Sequence, residues 1–468
     1  MSTFGVIVST RGFFPGWLAK EGRSDILAKL DKMGHKAVIL DEDVTQYGAV
    51  EIYEDAKKCA LLFKENADCI RGVIVVLPNF GDEVGVVTAI DLAKLNVPVM
   101  VIACDDHLER MDISNRRDSF CGKLSVCNNL KQYGIPFTNT SQHTYAIDSE
   151  EATKDIEHFD SVCRVVSSFK QARIGAIGTR PGAFQTVRFS EKILQKHGIT
   201  VIVEDIANII AKANEINDSQ VLHSKLKAIR AYGNVPSGIP EESVIKQAKL
   251  SLAVEGWVKE TDCDAYAIQC WDVVQSQYGC ATCLTMSMMG EQLGIPAACE
   301  MDVTGALTML ALRSATGNAP GYMDWNNNYE NDRDKCVAIH CSSLPQSFIG
   351  QDVEISNLDI LGASLGEEKC FGACKGNVRG GDMTFAKITT DDTTGKIRVY
   401  VGEGEFTDDP ITTIGAPAIC KVDDLQGLMK MICIEGFEHH VAMVRSHCAD
   451  VMEEALGKYL GFEVIRHK

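Results

Sequence analysis

Positive charge is scarce in this chain. Lys and Arg number 46 against 64 Asp and Glu, a formal net charge of −18 over 468 residues. So acidic a balance excludes binding to nucleic acid or to an anionic membrane through bulk charge. Long apolar runs are also missing, since none approaches the roughly 20 residues that cross a bilayer. The opening MSTFGVIVSTRGFF has no basic segment leading into a long apolar stretch, so no secretory signal is expected. Walker and H-E-x-x-H patterns are absent, as are low-complexity tracts and short internal repeats. Gly175 and Gly178 follow an apolar run but lack the third glycine of a dinucleotide-binding fingerprint. What is present is ordinary for a globular protein: 45% hydrophobic and 24% charged residues, a mix that excludes large-scale disorder. The expectation is a cytoplasmic, multidomain enzyme.

Cysteine is the abundant exception, with 18 residues. In a reducing compartment these are thiols or metal ligands rather than disulfides, and most should be small apolar core residues. Cys280/Cys283 and Cys370/Cys374 have the spacing of structural zinc ligands. They fall in different expected domains, and the first pair opens an apolar helical segment, which favours packed thiols.

The first half alternates strand and helix. Strands are expected at Phe4–Ser9, Lys36–Leu40, Gly72–Leu77 and Pro98–Ala103, with helices at Asp25–Met33, Glu51–Asn66 and Gly85–Leu95 between them. Continuous apolar runs such as Gly72–Leu77 suit strands covered on both faces of a parallel sheet. The pattern restarts at Arg173–Gly178, with a loop at Thr179–Phe184, a helix at Ser190–His197 and a strand at Thr200–Val203. The acidic stretch Asp148–Asp160 reads as the connection, although its spacing is also helical. Further helices are expected at Pro240–Glu260 and Gly279–Leu293, around a strand at Ala265–Cys270. Beyond Pro345 glycine is frequent, and Phe385–Thr389 and Lys396–Val401 flank a turn as a hairpin would. Helical periodicity is weak there until Ala449–Tyr459. The expected fold class is α/β, with α/β domains at 1–170 and 171–345 and a β-rich domain at 346–468.

One passage carries chemistry. In Ala297–Met309, Glu300 interrupts an apolar run, where a carboxylate must be paired, protonated or metal-bound. Asp324 sits in a similar apolar setting, His340 ends a strand-like run, and His439, His440 and His447 lie near the C-terminus. Two carboxylates with one or two imidazoles form a ligand set for a catalytic divalent cation. The carboxylate share favours Mn²⁺ or Mg²⁺. Each residue also has an ordinary reading, as a capping acid or a satisfied core histidine.

At these residues the chain resembles the L-fucose isomerase/L-arabinose isomerase family of metal-dependent aldose–ketose isomerases. The matching stretches are Ala267–Trp271, Pro296–Thr308, Met323–Trp325, Ile339–Cys341 and His439–His447, with Thr10-Arg-Gly12 near the start. The resemblance implies two Rossmann-like α/β domains and a barrel-like C-terminal domain. It implies Glu300 and Asp324 as catalytic carboxylates and, with His440, as metal ligands; His340 matches a further ligand of the arabinose type. Gln269 and Trp271 would line the sugar site, and Arg11 would reach substrate in a neighbouring subunit of a homo-oligomer with shared sites. The activity implied is conversion of an aldose to a ketose through a cis-enediol. The chain is shorter than fucose isomerases proper, so the sugar stays open: a deoxy sugar, a pentose, or an anionic, for example sulfonated, hexose. An anionic sugar calls for a basic anchor such as Arg11 or Arg180, although Arg180 also reads as a loop arginine making a structural contact. A metal-dependent epimerase or lyase, and a two-lobed sugar-binding protein, are the competing readings.

Overall fold

The structure, a computed structural model, describes residues 1–468, which divide into two compact units, Met1–Ser167 and Ser168–Lys468. No helix is long and apolar enough to cross a membrane.

The first unit is built on five parallel strands: β1 (Thr3–Val8), β2 (Lys36–Val38), β3 (Ile70–Leu77), β4 (Val99–Ala103) and β5 (Thr138–Asn139). Their order is β2-β1-β3-β4-β5, with helices as crossovers. Residues 72–77 of β3 and all of β4 are buried, as their apolar runs require. The first helix starts at Trp17, earlier than its apolar spacing suggests. Gly22 and Arg23 lie on its buried face and mask the pattern, and a Cβ on Gly22 would meet Pro78 at 2.7 Å. The acidic stretch expected as a connection belongs to a helix, Glu150–Phe169.

The second unit opens with another parallel sheet, of β6 (Arg173–Ile177), β7 (Thr200–Glu204), β8 (Ala265–Ile268) and β9 (Ala297–Ala298), in the order β7-β6-β8-β9. Next come β10 (Gly321–Tyr329) and β11 (Asp332–Ile339), then a separate pair, β12 (Glu354–Asn357) and β13 (Phe371–Lys375). The remaining strands are β14 (Gly381–Asp391), β15 (Lys396–Thr407), β16 (Ala418–Lys421), β17 (His440–Val444) and β18 (Glu463–Arg466). They join β10 and β11 in the order β14-β17-β10-β11-β16-β15-β18, and β14 also pairs with β15, so six strands close into a ring. The expected hairpin is β14–β15, longer than its alternation suggested. The chain is thus mixed α/β, with parallel sheets followed by a β-rich sheet. Short unexpected helices lie at Gln346–Ile349 and Asp359–Leu365, and the longest unexpected helix in this region is Leu425–Glu435. Leu425, Leu428 and Ile432 form its buried stripe, Asp424 accepts from Gly427 N–H at its start, and Gly436 ends it at φ 71°.

Helix Val303–Thr316 joins the parallel sheet of this unit to its ring of strands. It touches β8 and β9 of the parallel sheet and β14 and β17 of the ring. Residues 303–312 are all buried, so the helix is apolar all round. Its N-terminus, just after β9, fixes the segment that carries Glu300.

Candidate metal centre

Four chain segments meet at the site. Glu300 lies between β9 and helix Val303–Thr316, and both Glu300 and Met301 hold left-handed backbone, at φ 59° and 56°. Two successive non-glycine residues in that region cost about 1–3 kcal/mol each, strain of a kind that concentrates at functional sites. Asp324 lies on β10, and its antiparallel register sets it opposite His440 on β17 and Ile339 on β11. His340 directly follows Ile339. The register therefore gathers one carboxylate and two imidazoles from segments far apart in the chain, and Glu300 completes the group.

The distances are short. His440 Nε2 is 2.9 Å from Glu300 Oε2 and 3.5 Å from Asp324 Oδ1. His340 Nε2 is 3.8 Å and His439 Nε2 3.9 Å from the same Asp324 oxygen. Donor atoms of Glu300, His340 and His440 lie within 4.8 Å of one another, and so do those of Asp324, His439 and His440. Glu300 Oε2, Asp324 Oδ1, His340 Nε2 and His440 Nε2 are all buried without a hydrogen-bond partner. Buried polar atoms are normally paired, so four orphans converging on one place need a ligand to satisfy them.

The two histidines are held differently. His440 Nδ1 is 3.0 Å from Asp302 Oδ2, so Nδ1 carries a hydrogen and, in the neutral ring, Nε2 presents a lone pair. His340 Nδ1 accepts from the Cys341 backbone N–H at 2.7 Å, so the hydrogen of the neutral ring is on Nε2. Asp302 is itself wholly buried. It accepts from Lys387 Nζ at 2.5 Å and from the Tyr322 hydroxyl, and its other oxygen caps the helix at Gly305 N–H, 2.8 Å away. Burial alone would raise the Asp302 carboxyl; the Lys387 charge and the His440 hydrogen bond overcome it and hold the group well below the usual carboxylate value. Burial pushes the Tyr322 hydroxyl up, as does the Asp302 charge, so it stays a donor. Gly305 permits this approach, because a Cβ there would meet the Tyr322 hydroxyl at 2.4 Å.

A cavity of about 260 Å³ opens over the site. Glu300, Asp324, His340 and His439 form its polar side, and Phe184, Trp271, Leu358 and Ile414 much of its apolar side. Trp271 and Ser342 also line it, and their Nε1 and Oγ atoms are buried without hydrogen-bond partners. Gln269 is spent on the scaffold: its oxygen accepts from Thr179 N–H and its nitrogen donates to the Trp271 carbonyl, both at 3.1 Å. Arg180 bonds the carbonyls of Pro181, Gly182 and Phe184 at 3.2–3.4 Å, so it shapes the loop that carries Phe184, as its structural reading expected. Arg11 belongs to the first unit, where it pairs with Glu83 and lies 4.2 Å over the Phe80 ring. Cys280, Cys283, Cys370 and Cys374 are free and buried, packed in apolar clusters.

Sequence reasoning missed Asp302, Tyr322, Lys387 and Ser342. Asp302 lies within the passage singled out for Glu300, but Asp before Val-Thr-Gly reads as a helix cap, which it also is. A better signal is Lys387, a lysine in the middle of the apolar strand Phe385–Thr389.

The family model for the fucose/sulfoquinovose isomerase N-terminal domain matches residues 5–170, and that for the L-fucose isomerase C-terminal domain matches residues 338–468. The sulfoquinovose isomerase of Priestia aryabhattai is 23% identical over 351 residues, 74% of this chain and 75% of that protein. That of Alkalicoccus urumqiensis is 24% identical over 336 residues, 70% of this chain and 73% of that protein. Among solved structures, a glucose-galactose binding protein from Geobacillus stearothermophilus aligns at 12% identity over 59% of this chain and 82% of that chain. Its TM-score of 0.15 is too low to bear on the fold. With both terminal domains matched and relatives aligned along most of their length, the chain belongs to the fucose isomerase family.

Proposed function

We propose that this chain is a Mn²⁺- or Mg²⁺-dependent aldose–ketose isomerase acting on a sulfonated sugar. The observation that carries the reading is the approach of His440 Nε2 to Glu300 Oε2, 2.9 Å apart and both unpartnered. With the ring hydrogen on Nδ1, a nitrogen lone pair faces a carboxylate oxygen. That contact is repulsive unless a proton or a metal cation bridges the two atoms, and a bound cation would take the place of the proton. Asp324 Oδ1 supplies the third donor, and two carboxylates with one imidazole suit Mn²⁺ or Mg²⁺. His340, with its hydrogen on Nε2, is a donor toward Asp324 or substrate in this reading rather than a fourth ligand.

A divalent cation held there would supply Lewis acidity at the oxygens of the sugar's first two carbons. The carboxylates do the proton work. Aldose–ketose conversion moves one proton from C2 to C1 and another between the two oxygens, so one of Glu300 and Asp324 takes the carbon-bound proton while the other serves the hydroxyl proton. Trp271 Nε1 and Ser342 Oγ offer hydrogen bonds to sugar or sulfonate oxygens. Phe184 and Trp271, with ring centroids 5.5 Å apart, offer an apolar wall. The activity named for the Priestia and Alkalicoccus relatives supports the sulfonated substrate. In the same reading the parallel sheets are Rossmann-like layers, the ring of strands is a small barrel, and Arg11 serves the site of a neighbouring subunit in a cytoplasmic homo-oligomer.

The test is a panel of deoxy, pentose and 6-sulfonated aldoses incubated with the protein and Mn²⁺ in D₂O and read by NMR. The expected result is a ketose from the sulfonated aldose, lost on chelation and restored by Mn²⁺. Absence of ketose from every aldose contradicts the proposal.

A further inference from the structure

Lys387 lies on β14 in a stretch, Met383–Thr389, that is buried throughout, and its side chain is 0% exposed. An ammonium in such a place is strongly unfavourable unless a charge and hydrogen bonds answer it. The answer is Asp302 Oδ2, 2.5 Å away. That oxygen also accepts from Tyr322 and faces His440 Nδ1 at 3.0 Å. Oδ1 takes Gly305 N–H at 2.8 Å and the Thr304 hydroxyl at 2.9 Å. The carboxylate is thus gripped at both oxygens, and Lys387 supplies the ammonium in the grip.

We propose that Lys387 is a positioning residue: by clamping the Asp302 carboxylate it keeps the His440 hydrogen on Nδ1 and turns the bare Nε2 toward Glu300 and Asp324. Without the clamp the carboxylate turns, the His440 ring loses its anchor, and Nε2 leaves the place where the donors converge. The buried lysine therefore acts on the site through two intermediaries and touches neither cavity nor substrate. The inference rests on the metal reading above, but its first readout needs no metal.

The experiment uses the full-length, metal-free protein and the variant Lys387→Met, which keeps length and removes charge. Proton–nitrogen NMR of the imidazole rings should show His440 Nδ1–H in wild type as a hydrogen-bonded, slowly exchanging resonance, and the variant should lose it. Mn²⁺ titration followed by electron paramagnetic resonance should then show affinity weakened about 10–100-fold, the range for lost outer-sphere partners of a metal site. If Lys387→Met does not fold, Lys387→Leu likewise removes the donor and its charge and is read the same way. A resonance retained in the folded variant overturns the proposal. A wild-type protein that binds no Mn²⁺ overturns the metal reading instead and leaves the resonance to decide the role of Lys387.

Discussion

The end of β11 and the start of β17 each present a buried histidine to the same carboxylate, yet the two rings are prepared for opposite tasks. At β17, His440 gives its Nδ1 hydrogen to an aspartate locked by lysine, tyrosine and a helix N-terminus, which frees Nε2 as a donor of electrons. At β11, His340 takes a hydrogen from its own neighbour's backbone, which leaves Nε2 as a donor of a proton. Both nitrogens lie within 4 Å of Asp324 Oδ1. Proximity alone would make both rings ligands. In the proposed metal site, the partner behind each ring decides which of them would bind a cation.

That contrast can be broken or sharpened by substitution. The largest effect is expected from Glu300→Gln, which removes the carboxylate opposite His440. Turnover should fall at least about 10³-fold, from loss of both a ligand and an acid–base group, with circular dichroism unchanged. Near wild-type turnover would remove Glu300 from the site. His340→Gln should lower kcat by roughly 10–100-fold with KM little changed, because a proton donor is lost while the remaining donors stay in place. A rise in KM alone would assign His340 to sugar binding instead.

Gly305→Ala disturbs the His440 side only. Its new Cβ collides with the Tyr322 hydroxyl, and overpacking of this kind costs about 1–3 kcal/mol. Urea unfolding should show that loss, and a fully neutral result would mean the Tyr322–Asp302 contact is dispensable. The smallest effect is on acid stability. Asp302 is held below its unfolded value of 3.8, so its contribution is fully present above about pH 4 and is lost as pH falls further. Asp302→Asn should therefore unfold less steeply with acid below about pH 4 than wild type, in denaturation curves taken between pH 5 and 2.

How much of this was legible in the sequence depended on whether the signal was local. The runs at Gly72–Leu77 and Pro98–Ala103 revealed their strands because a doubly covered strand must be apolar at every position. Glu300 stood out for the same reason in reverse, as a charge where water is excluded. Asp324 and His440 were each visible, but their adjacency follows from the antiparallel register of β10 and β17, which no local pattern encodes. Asp302 was hidden by doing two things at once, capping a helix and orienting a ring. The helix at Leu425–Glu435 shows a different failure, since its stripe, its Asp424 cap and its Gly436 stop were all present and were outweighed by the glycine-rich surroundings.

The central claim is that the hydrogen on each ring, set by its partner, makes His440 a ligand and His340 a donor. It is tested most directly by titrating Mn²⁺ into wild type, His340→Gln and His440→Gln side by side and following free Mn²⁺ by electron paramagnetic resonance. The account predicts one tight site in wild type, nearly the same affinity in His340→Gln, and a loss of about 100-fold or more in His440→Gln. Equal losses in the two variants, or unchanged binding in His440→Gln, would contradict it.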